Sequence, residues 1–175
     1  MKKQYWLILI AIVLGIILAI FLMRPHKEIG VFPETLQVYN YTEHTELDTT
    51  ALIILDKILN LDTINLFIYY SPVNYNSAEI EVMGFIQKNP FQLHTYAIFV
   101  SKTTILTPKN FLSHELAHLE QMEKGELIDV LGSGGIFKVY KGDTIHLLVT
   151  EYSQRPFEAD ADKRAFEIRR QLSKY

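Results

Sequence analysis

His114 and His118 stand four residues apart, with Glu115 directly after the first. On a helix that spacing puts both imidazoles on one face, one turn apart. Two ring nitrogens so placed can reach a single Zn²⁺ at about 2.0–2.1 Å. Glu115, on the flank of the same face, is positioned to take a proton from water activated by the metal, which makes water a nucleophile at neutral pH.

Chemistry of this kind needs a rigid mount, and the flanking residues predict one. Thr107 suits an N-cap, Pro108 the first helical position and Gly125 a C-terminal stop, so Lys109 to Lys124 should be helical. Phe111, Leu112, Leu116, Leu119 and Met122 would bury the remaining faces of that helix.

Upstream, Thr49 to Asn60 fits an amphipathic helix with Asp48 or Thr49 as its cap. Ile64–Tyr70, Glu79–Gln87 and Leu93–Val100 read as strands, with a turn at Lys88-Asn89-Pro90 and a fourth short strand at Thr104–Leu106. Downstream, Ile128 to Tyr152 reads as two helical pieces around Lys141-Gly142-Asp143. Arg155-Pro156 opens a last helix running to about Ser173. Strands early and helices late predict an α+β domain with one small antiparallel or mixed sheet.

The stretch Leu106 to Gln121 resembles the active-site helix of the zincin metallopeptidases, whose HExxH motif is intact here as His114-Glu115-Leu116-Ala117-His118. The metzincin branch would have Gly at Gln121 and a third His at Lys124, and is excluded. The gluzincin branch takes its third ligand from a Glu on a later helix, often within Glu-x-x-x-Asp, and Glu158 and Asp162 fit that pattern. Resemblance therefore implies Glu158 as a third zinc ligand and Asp162 as the acceptor of a ligand histidine's free N–H. The interval from His118 to Glu158 is longer than in thermolysin-like enzymes. Tyr152 to Glu158 is similar to a Tyr-x-x-x-Pro-Phe-Glu segment of short bacterial zincin-like domains. Asp129, His146, Glu151, Asp160 and Asp162 are rival third ligands; the Gly-Thr-x-Asp signature of an aspzincin-like scheme around Asp129 is missing. Peptide hydrolysis also requires oxyanion stabilisation, for which Tyr152 is favoured over Tyr140 and Arg155. By the same resemblance Leu93–Val100 would be the sheet edge that takes a peptide, with His94 and Tyr96 as cleft residues.

The 175-residue chain holds one such domain, and its apolar excess sits at one end. Residues 1–4 form a short tail, and Tyr5 to Met23 carries no charge, which predicts a transmembrane anchor rather than a cleaved signal because no small-x-small site precedes Arg24. Residues 24–34, with Pro25, Gly30 and Pro33, read as a linker, and 35–175 as the zincin-like domain. Lys2 and Lys3 lean the positive-inside rule toward a single-pass protein with its domain on the extracytoplasmic side. Of 17 Lys and Arg, 15 follow the anchor, against 20 Asp and Glu, and no basic run occurs. Nucleic acid is thus not an expected partner. The absence of cysteine excludes disulfides and thiolate ligands. Expected partners are a peptide or protein substrate and the membrane. The rival expectation is a tethered, non-catalytic binding or assembly module, but a closed structural zinc site would need four protein ligands and no carboxylate beside its first His.

Overall fold

The computed structural model describes residues 35–70, 76–77, 80–81, 84–101, 108–130 and 137–175. All lie within the compact unit Pro33–Tyr175. Among them no helix is long and apolar enough to cross a membrane, and the expected anchor at Tyr5–Met23 lies outside the described residues.

The domain is α+β, with a four-stranded mixed sheet on three helices. The elements run β1 (Gln37–Asn40), α1 (Glu46–Leu52, prolonged by a wider π turn over Ile53–Ile58), β2 (Asn65–Tyr70), β3 (Asn76–Ser77), β4 (Ile80–Glu81), β5 (Gly84–Lys88) and β6 (Thr95–Val100). After these come α2 (Pro108–Glu123), β7 (Leu127–Asp129), β8 (Phe137–Tyr140), β9 (Asp143–His146), a 3₁₀ turn at Tyr152–Gln154 and α3 (Pro156–Leu172). The strand order is β1-β2-β6-β5: β1, β2 and β6 are parallel, and β5 runs antiparallel to β6.

Alternation along the strands explains why the sheet packs by one face. Leu66, Ile68, Tyr96, Ile98 and Ile86 are buried, whereas their neighbours Phe67, Tyr69, Phe99 and Phe85 are only partly covered. The buried set meets Leu47, Ile54 and Leu55 of α1 with its π turn, and Leu112, Leu116 and Leu119 of α2, in one core. Each such side chain contributes about 1.5–3 kcal/mol by leaving water. Fully buried Ala117 of α2 and Ala161 of α3 add little bulk to the packing of these two helices.

Helix α2 begins at Pro108, as its sequence predicts, and stops at Gly125 for a visible reason. The Gly125 φ is +68°, its N–H reaches Met122 O at 3.1 Å, and the Glu126 N–H reaches Gln121 O at 2.8 Å. That pair of bonds ends a helix through a left-handed residue, where glycine carries no Cβ penalty. The cap position Thr107 and the expected strand Thr104–Leu106 lie outside the described residues.

Several expectations are corrected. The first helix starts at Glu46, three residues before Thr49, and Asp48 bonds the neighbouring Thr49 N–H instead of capping it. Strand β1 is an element not expected at all. The Glu79–Gln87 strand is divided into β4 and β5. Where two helical pieces were expected within Ile128–Tyr152, the described residues form β7, β8 and β9, an antiparallel sheet. Lys141 (φ +50°) and Gly142 (φ +96°) make its two-residue hairpin, a turn that needs positive φ at both positions and twists as the strands do. Finally, Leu93–Val100 is not an edge. Strand β6 has β2 on one side and β5 on the other, so its backbone groups are spent within the sheet. Among the described residues the outermost strand on that side of the sheet is β5.

Candidate metal centre

Helices α2 and α3 pack together so that His118 meets Glu158 and His114 meets Asp162, a pairing that requires them to run antiparallel. His118 Nε2 lies 3.1 Å from His114 Nε2 and 3.0 Å from Glu158 Oε2, and His114 Nε2 lies 3.3 Å from the same oxygen. Among the described residues this is the group of three His, Asp or Glu side chains that could share one ion. Two nitrogens each about 2.0–2.1 Å from a tetrahedral Zn²⁺ would stand roughly 3.3 Å apart. The spacing fits.

Hydrogen bonds on the far side of each ring decide what the near side offers. Gln121 is fully buried, and its amide nitrogen donates to Phe157 O and Asp160 Oδ2, both at 2.9 Å. Its carbonyl oxygen is therefore the atom that faces His118 Nδ1, at 2.9 Å, and that nitrogen must carry the proton. His114 Nδ1 lies 3.0 Å from Asp162 Oδ1 and is likewise the donor. With both protons held on Nδ1, each Nε2 turns a lone pair toward a carboxylate oxygen. Three acceptors converge with no donor among them, an arrangement that repels itself unless a cation enters.

The charges agree. Glu158 is only 9 % exposed, and although burial works to raise its pKa, positive charge taken up at the His114 and His118 rings favours its carboxylate and holds it below its ordinary range. Burial lowers the pKa of His114, but Glu158, Glu115 and Asp162 together outweigh it and raise it. The cluster is an electron-rich pocket seeking positive charge.

Glu115 lies between this cluster and strand β5. It is 6 % exposed and accepts a hydrogen bond from the Ile86 backbone, and burial above all pushes its pKa up. Gly84 lets the strand come this close. A Cβ there would sit 2.4 Å from Phe99 O and from the Phe111 ring of α2, so only glycine fits. Beside the cluster opens a cavity of about 700 Å³, lined by β5, α2, α3 and Tyr152.

Of the oxyanion candidates, only Tyr152 reaches the cluster: its hydroxyl is 3.4 Å from His114 Nε2 and also bonds Glu158. Tyr152 follows a turn that Arg155 ties down by donating to Leu147 O at 2.9 Å and Thr150 O at 3.1 Å. Those bonds direct two of the Arg155 N–H groups to that turn. Tyr140 is buried against Phe157 and bonds Asp160. The rival ligands lie elsewhere: Asp129 pairs with Lys138 at 2.7 Å, Asp160 with Arg164 at 2.8 Å, His146 packs on Phe137, and Glu151 is exposed. Nor are His94 and Tyr96 cleft residues. Both bond Glu123, and Tyr96 is fully buried. The residue that sequence reasoning missed is Gln121. Its i+3 spacing from His118 was a usable signal, but the direction of its amide is set by α3.

No protein-family model, curated protein or solved structure matches the chain.

Proposed function

We propose that this chain is a zinc-dependent peptidase of zincin-like, gluzincin-type build, with His114, His118 and Glu158 as ligands. The observation that carries the reading is the convergence of two histidine lone pairs and one carboxylate oxygen, each ring locked into the ligating tautomer from behind. Three protein ligands leave a fourth position open, which suits a catalytic site rather than a closed structural one. Zinc, when bound, supplies Lewis-acid polarisation of a carbonyl and lowers the pKa of water.

The protein's own groups divide the remaining work. Glu115, buried and with a raised pKa, accepts a proton from the attacking water and returns it to the departing amine. Tyr152, beside His114 and Glu158, donates to the oxygen on which negative charge develops. Asp162 and Gln121 hold the rings in orientation. The apolar run Tyr5–Met23 would anchor the peptidase in a membrane, with the domain on the extracytoplasmic side. A mature chain that retains Trp6 and fractionates with membranes is the expected outcome; a mature N-terminus after Arg24 would refute the anchor.

The decisive experiment is metal analysis of the full chain alongside hydrolysis of an unfolded protein. One zinc per chain is expected, lost in Glu158→Ala. Glu115→Gln should keep the zinc and lose turnover by about 10²–10⁴-fold. Zinc undiminished by Glu158→Ala removes Glu158 as a ligand. Zinc without turnover in the parent chain leaves a tethered binding module instead.

A further inference from the structure

Among the described residues, three cationic side chains line the cavity beside the candidate metal centre: Lys138, Arg155 and Arg169. Two have hydrogen-bond or ion-pair partners among the described residues. Lys138 pairs with Asp129 at 2.7 Å, and Arg155 donates to the backbone oxygens of Leu147 and Thr150. Arg169 is partly buried and makes no ion pair or side-chain hydrogen bond with any described residue. Its neighbour Arg170 is the contrast, pointing to solvent and gripping Glu167 with two bonds of 2.6 and 2.9 Å. A last-turn arginine also complements the helix dipole. Arg170 shows that this role needs no guanidinium in the cavity.

The position of Arg169 follows from helix geometry. Asp162 and Arg169 are seven residues apart, close to two full turns, so they share a face of α3 about 10 Å apart along its axis. Side chains lean toward the helix N-terminus, which tilts Arg169 back toward Asp162 and the metal centre. Since α2 runs the other way, Asn110 falls at the same end of the cavity, and it too lines the wall. The metal end of the cavity carries Glu158, Asp162 and Glu115, with Arg155 and Lys138 beside them; the other carries a guanidinium and an amide.

We propose that Arg169 is a substrate anchor that takes a carboxylate, either an acidic side chain or the free C-terminus of a short peptide. The proposal rests on the peptidase reading and specifies its substrate class. A guanidinium does not shed its proton when partly buried, and it matches a carboxylate with two parallel hydrogen bonds. A carboxylate held at Arg169 leaves the rest of an extended peptide to run toward the metal end, which sets the direction in which it lies. An extended chain advances about 3.3–3.6 Å per residue, which places the bound carboxylate about three residues from the metal end.

The test uses the zinc-loaded full chain carrying Glu115→Gln, so that binding is measured without turnover. Labelled hexapeptides with one Glu walked along an otherwise neutral sequence, each as C-terminal acid and amide, are titrated by fluorescence anisotropy. Binding roughly tenfold tighter for a carboxylate at one position is expected, the size of a charge-assisted hydrogen bond. Dependence on the amide or on the Glu position separates the two sources. Adding Arg169→Gln should erase that preference while zinc stoichiometry stays at one per chain, and Arg169→Lys should restore part of it. A carboxylate preference that survives Arg169→Gln overturns the proposal, as does equal binding of acidic and neutral peptides. A parent chain that takes up no zinc, or binds no peptide at all, overturns the peptidase reading and this proposal together.

Discussion

Helices α2 and α3 hold two polar clusters between them, and they are built on opposite principles. Around Arg164, the guanidinium meets Glu120 at 3.1 Å, Asp160 at 2.8 Å and Glu126. Lys124 adds a bond to Glu120 at 2.6 Å and Lys141 approaches Glu126 at 3.9 Å. Three carboxylates meet three cations, and every acceptor faces a donor. In the cluster of His114, His118 and Glu158, acceptors face acceptors, with the carboxyl groups of Asp162 and Glu115 nearby and no Lys or Arg paired to them among the described residues. What separates the two is whether the cluster is complete without a guest. A self-neutralising network is sufficient for structure; a cluster that lacks positive charge has a use for it.

The largest difference should appear in zinc-linked stability. Zinc at a hundredfold excess over its Kd should raise the unfolding free energy of the parent chain by about 2.7 kcal/mol. In His114→Leu/His118→Leu that increment should vanish, as read by chemical denaturation with and without metal. Retention of the increment would mean that zinc binds elsewhere. A second, smaller effect joins the two clusters, because Gln121 bonds His118 on one side and Asp160 on the other. Gln121→Leu should weaken zinc about 10–100-fold by releasing the His118 ring. Competition with a chromogenic chelator would measure it, and an unchanged affinity would deny Gln121 its orienting part. The smallest effect belongs to the complete cluster. Arg164→Met should cost about 1 kcal/mol, in keeping with partly exposed ion pairs, and leave zinc stoichiometry at one per chain. Loss of zinc in that variant would show that the two clusters are one functional unit.

Local chemistry made part of this legible. Pro108 and Gly125 bracket α2, Pro156 opens α3, and a four-residue spacing obliges His114 and His118 to share a face whatever surrounds them. The hairpin of β8 and β9 was hidden because its apolar residues show no distinct period, and Lys141-Gly142 breaks a helix as readily as it turns a hairpin. Only pairing across the turn chooses between them. Strand β1, four residues long, is too short to carry a periodic signal.

Sequence alone determined the donor types, the spacing along α2 and α3 and the ends of those two helices, since these depend on residues within one or two turns of each other. Tertiary structure decided everything that joins distant positions. It brought Glu158 across forty residues to His118 and aimed the Gln121 carbonyl at the His118 ring. It also seated β6 inside the sheet and left β5 at its edge. Such contacts come from burying one apolar face against another, and hydrophobic burial has no direction along the chain that a local pattern could record.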